Sequence, residues 1–226
     1  MENLVENISK SVAIELLFEE MPTRPTANAI FREARKIFGD INIINRDEND
    51  IEFSVDKFVT YNEDNTTSPV VLAMGNITDF DDKVAVSEFE RTQIWNVVNS
   101  EELLSKYKYA VKIWDVNAQR QIPKERAIML VDWLNVALKL YPKCQAIWIK
   151  SAGKLQLAQS IKNLKETGIV KYLYSMVNIR FFNVPNTNEF IVDSVGLANI
   201  GLSDVQFHFK GMNPNKVANL AYSLAR

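Results

Sequence analysis

Sulfur and imidazole are nearly missing from this chain: its 226 residues hold one cysteine, Cys144, and one histidine, His208. A single thiol excludes an intramolecular disulfide framework, and one His with one Cys falls short of the four ligands of a structural zinc site. Glycine is scarce at seven residues, and the spacing G-x-G-x-x-G never occurs, which counts against a dinucleotide-binding fold. Net charge is almost absent, because 26 Lys+Arg against 28 Asp+Glu leave −2. No strong pull toward nucleic acid or anionic lipid follows from such a balance. The nearest thing to a basic stripe, Lys162, Lys165 and Lys171, is interrupted by Glu166. No apolar run approaches the roughly 20 residues needed to span a bilayer. The best, Val12 to Phe18, is broken by Glu15 and followed by Glu19 and Glu20. The amino terminus carries two acids before its first lysine, whereas a signal peptide opens with basic residues and an apolar stretch. A cytoplasmic protein with no membrane or nucleic-acid partner is therefore expected.

What is present is ordinary globular material, 47% apolar and 24% charged. At this length a chain buries roughly 70% of its unfolded surface without a metal or disulfide. Residues 12–18 alternate as a strand, and Pro25 suits the first turn of a helix whose stripe is Ala27, Ile30, Phe31, Ala34, Ile37 and Phe38, stopped by Gly39. Strands follow at 41–44, 51–61 and 70–74. A long helical stretch is predicted over 86–108, with a recapping point at Ser100. Then come a strand at 110–116, a helix from Pro123 to Tyr141, a strand at 145–149 and a helix at 155–165 ended by Gly168. Strands at 177–184, 190–195 and 205–209 precede a last helix begun by Asn213-Pro214. The fold class is α+β, a mixed, largely antiparallel sheet flanked by helices. The element order suggests two duplicated β-α-β-β-β-α halves, 1–108 and 109–226, within a single domain at 1–226. One continuous sheet fits equally well.

Side chains with chemistry are few. His208 is the one group that titrates near neutral pH unperturbed. Its strand, however, puts Val205, Phe207 and Phe209 on one face and His208 on the opposite, wet one. Cys144 reads as a small buried apolar residue. Ser151-Ala-Gly-Lys154 lies between a strand and the expected helix at 155–165, so Lys150, Ser151, Gly153 and Lys154 make a workable anion site at a helix amino terminus, with a loop turn flanked by solvated lysines as the favoured reading. It is not a P-loop, since Leu155 follows the lysine. Asp79, Asp81 and Asp82 lack the glycine and distal glutamate of a calcium loop and read as a solvated turn. Trp95, Trp114 and Trp133 are the candidate partner-binding aromatics, Trp133 because it sits beside its helix's stripe. Trp148 reads as core.

Several segments resemble the bacterial family known as domain of unknown function 4261. They are Ile14-Glu-Leu-Leu-Phe-Glu-Glu-Met-Pro22, Arg91-Thr-Gln-Ile-Trp95, the strand–helix pair from Ala110 to Tyr141, Ala146-Ile-Trp148 with its turn Ser151-Ala-Gly153, and the glycine-containing stretch from Asp193 to Val205. The turn after Trp148 lacks the His of some members. The resemblance implies an α+β bacterial protein with no assigned reaction, and it supplies no catalytic residues.

No catalytic set, cofactor or metal site emerges. The favoured expectation is a non-catalytic protein-interaction module of adaptor or immunity type. The alternative is a small-molecule enzyme or sensor using residues 150–154, 196–201 and His208. The sequence leaves the partner and the oligomeric state open.

Overall fold

The computed structural model describes residues 11–224. Its first half runs β1 (Ala13–Phe18), α1 (Ala27–Phe38), β2 (Ile41–Arg46), β3 (Asp50–Tyr61), β4 (Thr67–Asp79) and three short helices, α2 (Asp82–Ala85), α3 (Glu88–Thr92) and α4 (Ser100–Lys106). The second half runs β5 (Tyr109–Val116), α5 (Pro123–Leu140), β6 (Ala146–Ile149), β7 (Lys154–Leu157), α6 (Ala158–Asn163), α7 (Gly168–Met176), β8 (Asn178–Asn183), β9 (Glu189–Val195), β10 (Gln206–Lys210) and α8 (Pro214–Leu224). This is the α+β class. Seven strands form one sheet in the order β2-β3-β4-β5-β1-β6-β7, and three form a second in the order β10-β9-β8. Every strand pairing is antiparallel.

Because neighbours alternate in direction, β1 and β2 run the same way, as do β5 and β6. Helices α1 and α5 are the crossovers that this requires. Both lie on one face of the large sheet, where Ile30, Phe31 and Ala34 of α1 and Leu130, Trp133 and Leu134 of α5 join Ile14, Leu16, Phe53, Leu72 and Ile113 in one core. Leu17, Ala110, Ala146, Trp148 and Leu155 point to the other face and are covered by Phe80, Val86, Ile94, Val97 and Leu104. β1 sits between β5 and β6, so the divide at 108/109 runs through one continuous sheet. Likeness between the halves stops at element order. The first crossover lands on the outer strand β2 and the chain walks inward, whereas the second lands beside β1 and the chain walks outward.

Local chemistry sets the boundaries. Thr26 caps α1 by accepting from the Ala29 amide, which puts Pro25 just ahead of the cap rather than in the first turn. The long helix expected over 86–108 is instead a chain of short ones. Ser87 starts α3 afresh through a reciprocal capping box with Glu90, and Asn99 takes a left-handed conformation before α4. Inside the first core one polar pair is sealed: Arg126 Nε donates to Asp115 Oδ2 at 2.8 Å, with both side chains at most 1% exposed.

The small sheet is packed differently. Alternate residues give one face to Ile179, Phe181, Val192, Phe207 and Phe209, against which α8 lays Val217 and Ala221. Its other face carries Arg180, Phe182, Ile191, Asp193 and His208, and none of these is buried. No helix among the described residues is long and apolar enough to cross a membrane.

Candidate functional site

All four residues of β6 are buried, and the chain must reverse at once to form β7. A single 3-10 turn, Lys150–Ala152, does this, with Gly153 at φ +56 returning the strand. That left-handed conformation is the reason a glycine stands there. The helix expected to begin at Leu155 is therefore corrected. Lys154–Leu157 is a strand paired with β6, and the following helix starts only at Ala158, so it does not open at the Ser151 turn. Lys154 belongs to the interior. It is 3% exposed, and its Nζ donates to the Val177 carbonyl at 2.7 Å. Burial with no counterion lowers its pKa to about 8.

Lys150, Ser151 and Gly153 do come together in a cleft of about 340 Å³, closed on its other sides by α3 and β8. Glu90 is fixed there, its Oε2 accepting from the Ser87 amide at 2.8 Å and the Ser87 hydroxyl at 2.6 Å. Asn178 Nδ2 donates to the Gly153 carbonyl at 2.9 Å and ties the turn to the small sheet. Arg180 forms a two-point pair with Asp193, with Nε to Oδ1 at 2.9 Å. This hydrogen bonding raises the arginine's pKa further. Its guanidinium also lies 5.3 Å from the Phe182 ring centroid and 6.0 Å from that of Phe89, and those two rings stack at 6.3 Å. His208 does not line this cleft. It pairs with Glu189 Oε2 at 2.8 Å on the unburied face of β10 and β9.

Phe181 and Phe182, being consecutive in a strand, point to opposite faces. Residues 89–95 exploit that arrangement: Phe89 stacks on Phe182, and Trp95 meets Phe181 edge-on at 5.6 Å, so the edge strand β8 is gripped from both sides. Trp95 remains 57% exposed, with its indole N–H held by Gln93 Oε1 at 3.3 Å. Beside it Trp95, Phe181, Val192, Pro214 and Ala218 line an apolar groove of about 280 Å³.

The other candidates fall elsewhere. Trp133 is corrected from a surface aromatic to a core residue at 0% exposure, with Phe53 at 5.4 Å and its indole N–H donated to the Ala73 carbonyl. Helix α5 is covered on most of its circumference, so lying off the main stripe does not expose a residue. Trp114 is half-buried, with Lys112 Nζ 4.8 Å above its ring. Cys144 is buried and its thiol donates to the Ala146 carbonyl, while burial pushes its pKa up to about 12. Asp81 caps α2 and Asp82 pairs with Arg91 at 2.9 Å. Residues 196–201 are packing: a Cβ on Gly196 would stand 2.9 Å from the Met176 carbonyl, and Asp204 Oδ1 accepts from the Leu197 amide at 3.0 Å. No group of three or more His, Cys, Asp or Glu side chains able to hold a metal occurs among the described residues.

Sequence reasoning missed Arg180, Phe89 and Phe181. The one available signal was the Phe181-Phe182 doublet, which on a strand must present an aromatic to each face. Comparison with protein-family models, with curated proteins and with solved structures finds no match.

Proposed function

We propose that this chain is a non-catalytic protein-interaction module of adaptor or immunity type, working in a bacterial cytoplasm. One observation carries the reading. Val84, Phe89, Trp95 and Val98, four exposed large apolar side chains, lie within residues 84–98, and the apolar groove opens beside Trp95. An aromatic half out of the core next to a preformed groove is a common anchor of protein interfaces. Exposed Glu88 lies on the same stretch, while Glu101 and Glu102 on the helix after it pair with Arg91 and Lys106. The fitting occupant is a protein segment that inserts one large apolar side chain. The resemblance to domain of unknown function 4261 carries no assigned reaction and supplies no catalytic residues.

The test uses the purified chain as bait, with Trp95→Ala and Trp114→Ala beside it. A specific partner should be retained by wild type and Trp114→Ala and lost by Trp95→Ala, with all three melting as folded proteins. A partner that binds Trp95→Ala as tightly as wild type sinks the assignment. The second reading, a small-molecule enzyme or sensor, keeps Lys150, Ser151 and Gly153 in one cleft. It loses Lys154 to the interior and His208 to another strand, and for that reason it stands second.

A further inference from the structure

We infer that the cleft between the 150–153 turn, α3 and β8 binds a free α-amino acid, gripping its ammonium and its carboxylate together. The volume of about 340 Å³ is that of a small-molecule site, and its lining carries both signs of charge: the carboxylate of Glu90 and the cations of Lys150 and Arg180. Each has bonding capacity to spare. The capping box engages Glu90 through Oε2, which fixes the carboxylate and leaves Oε1 without a partner among the described residues. Oε1 stands 3.9 Å from the place a Cβ would take on Gly153, so it lies against the turn that carries Lys150 and Ser151. Lys150 enters no ion pair among the described residues, although Glu15 on β1 feels its charge from outside the cleft. Arg180 gives Nε and Nη2 to Asp193 and keeps Nη1, while its contacts with Phe89 and Phe182 hold the guanidinium in place.

Charge selects the class of ligand. A simple anion drawn to Lys150 and Arg180 meets the Glu90 carboxylate, and a simple cation drawn to Glu90 meets two basic groups. A zwitterion answers both. Glu90 Oε1 adjoins the turn that Lys150 begins, much as the ammonium and carboxylate of an α-amino acid adjoin one carbon. The ligand's carboxylate accepts from Lys150 Nζ, Arg180 Nη1 and the Ser151 hydroxyl, and its ammonium donates to Glu90 Oε1. Phe89 and Val195 supply an apolar wall for its side chain. Trp95 does not line this cleft, so the site stands apart from the partner-binding groove.

Isothermal titration calorimetry of the purified chain with each of the common amino acids in turn tests the site. At least one should bind wild type, and its Nα-acetyl and carboxamide derivatives should each bind about tenfold more weakly or worse. Glu90→Gln keeps the capping box, since glutamine also serves at that position. It should bind the amino acid no better than the Nα-acetyl derivative. Lys150→Met should weaken the amino acid about tenfold and narrow its advantage over the carboxamide. Circular dichroism melting confirms that each variant is folded. Wild type that binds no amino acid, derivatives that bind as tightly as their parent, or a folded Glu90→Gln that binds like wild type would overturn the proposal. Trp95→Ala, which tests the partner groove, should keep the amino acid, and Lys150→Met should keep the protein partner, so the two readings fail separately.

Discussion

The two sheets of this molecule are built on opposite terms. The large one is covered by α1 and α5 on one face and, over β1, β5, β6 and β7, by residues 80–107 on the other. The small one has a helix on one face and solvent over much of the other, and its edge strand β8 is held by two aromatic contacts from a neighbouring segment. Both use aromatics, but differently. In the large sheet Trp133 and Trp148 vanish into the core. At the small sheet Phe89 and Trp95 hold β8 while staying more than half exposed. The exposed aromatics of that clamp, unlike the two buried tryptophans, are the surface the proposed function assigns to a partner.

Truncation of the two kinds of tryptophan gives the widest expected separation. Trp133→Ala or Trp148→Ala should cost about 3–5 kcal/mol, the range for emptying a large buried aromatic site. Trp95→Ala should cost on the order of 1 kcal/mol or less, since much of its surface already meets water. Urea unfolding monitored by circular dichroism measures all three. A Trp95→Ala loss equal to that of Trp133→Ala would make the clamp as integral as the core and erase the distinction.

Lys154 sharpens the comparison from inside the large sheet's packing. Its amine is held below the usual lysine range, at about 8, by burial alone. Between about pH 8 and 10.5 the unfolded chain therefore binds a proton there that the folded chain does not, and stability contributed by this group rises with pH. The gap between the ordinary lysine value and about 8 corresponds to about 3 kcal/mol. Tyr107, Tyr141 and Cys144, raised by burial to about 12, pull the other way as the unfolded chain ionises first. Comparison with Lys154→Met cancels them. Relative to that variant, wild type should gain about 3 kcal/mol across this window, measured by urea unfolding at stepped pH, and parallel curves would show that Lys154 is not sealed.

Much of this architecture was legible because it is local. Alternation gave β3, β8, β9 and β10, and helical spacing with Pro123 gave α5. What was not legible depended on contacts distant in sequence. Leu155–Leu157 is too short to betray a strand by alternation, and only pairing with β6 makes it one. Phe89, Ile94, Val97 and Leu104 are spaced as a helix would space them, yet the Ser87 capping box and left-handed Asn99 divide the segment, and only Ile94, Val97 and Leu104 reach the core while Phe89 turns to Phe182. Helix α7 has no signal in the sequence: Gly168 reads as a helix stop, whereas it lies at the start of that helix. At the site, the 150–153 turn was visible as a turn. Arg180 and Phe89 were not, because their meeting is a tertiary event between segments some ninety residues apart.

His208 gives the smallest expected effect and tests whether the open face of the small sheet is itself part of the binding surface. Its pair with Glu189 is solvent-exposed, with the imidazole 57% accessible, and such pairs contribute little. His208→Ala should therefore change unfolding stability by no more than about 0.5 kcal/mol, and partner capture should match wild type. Arg180→Ala should lose more of both, because that guanidinium satisfies Asp193 and lies against Phe89 and Phe182. If a folded His208→Ala protein instead loses its partner while Trp95→Ala keeps it, the interface lies on the unburied face of β8–β10 and the groove beside Trp95 is only the seam that holds that sheet in place.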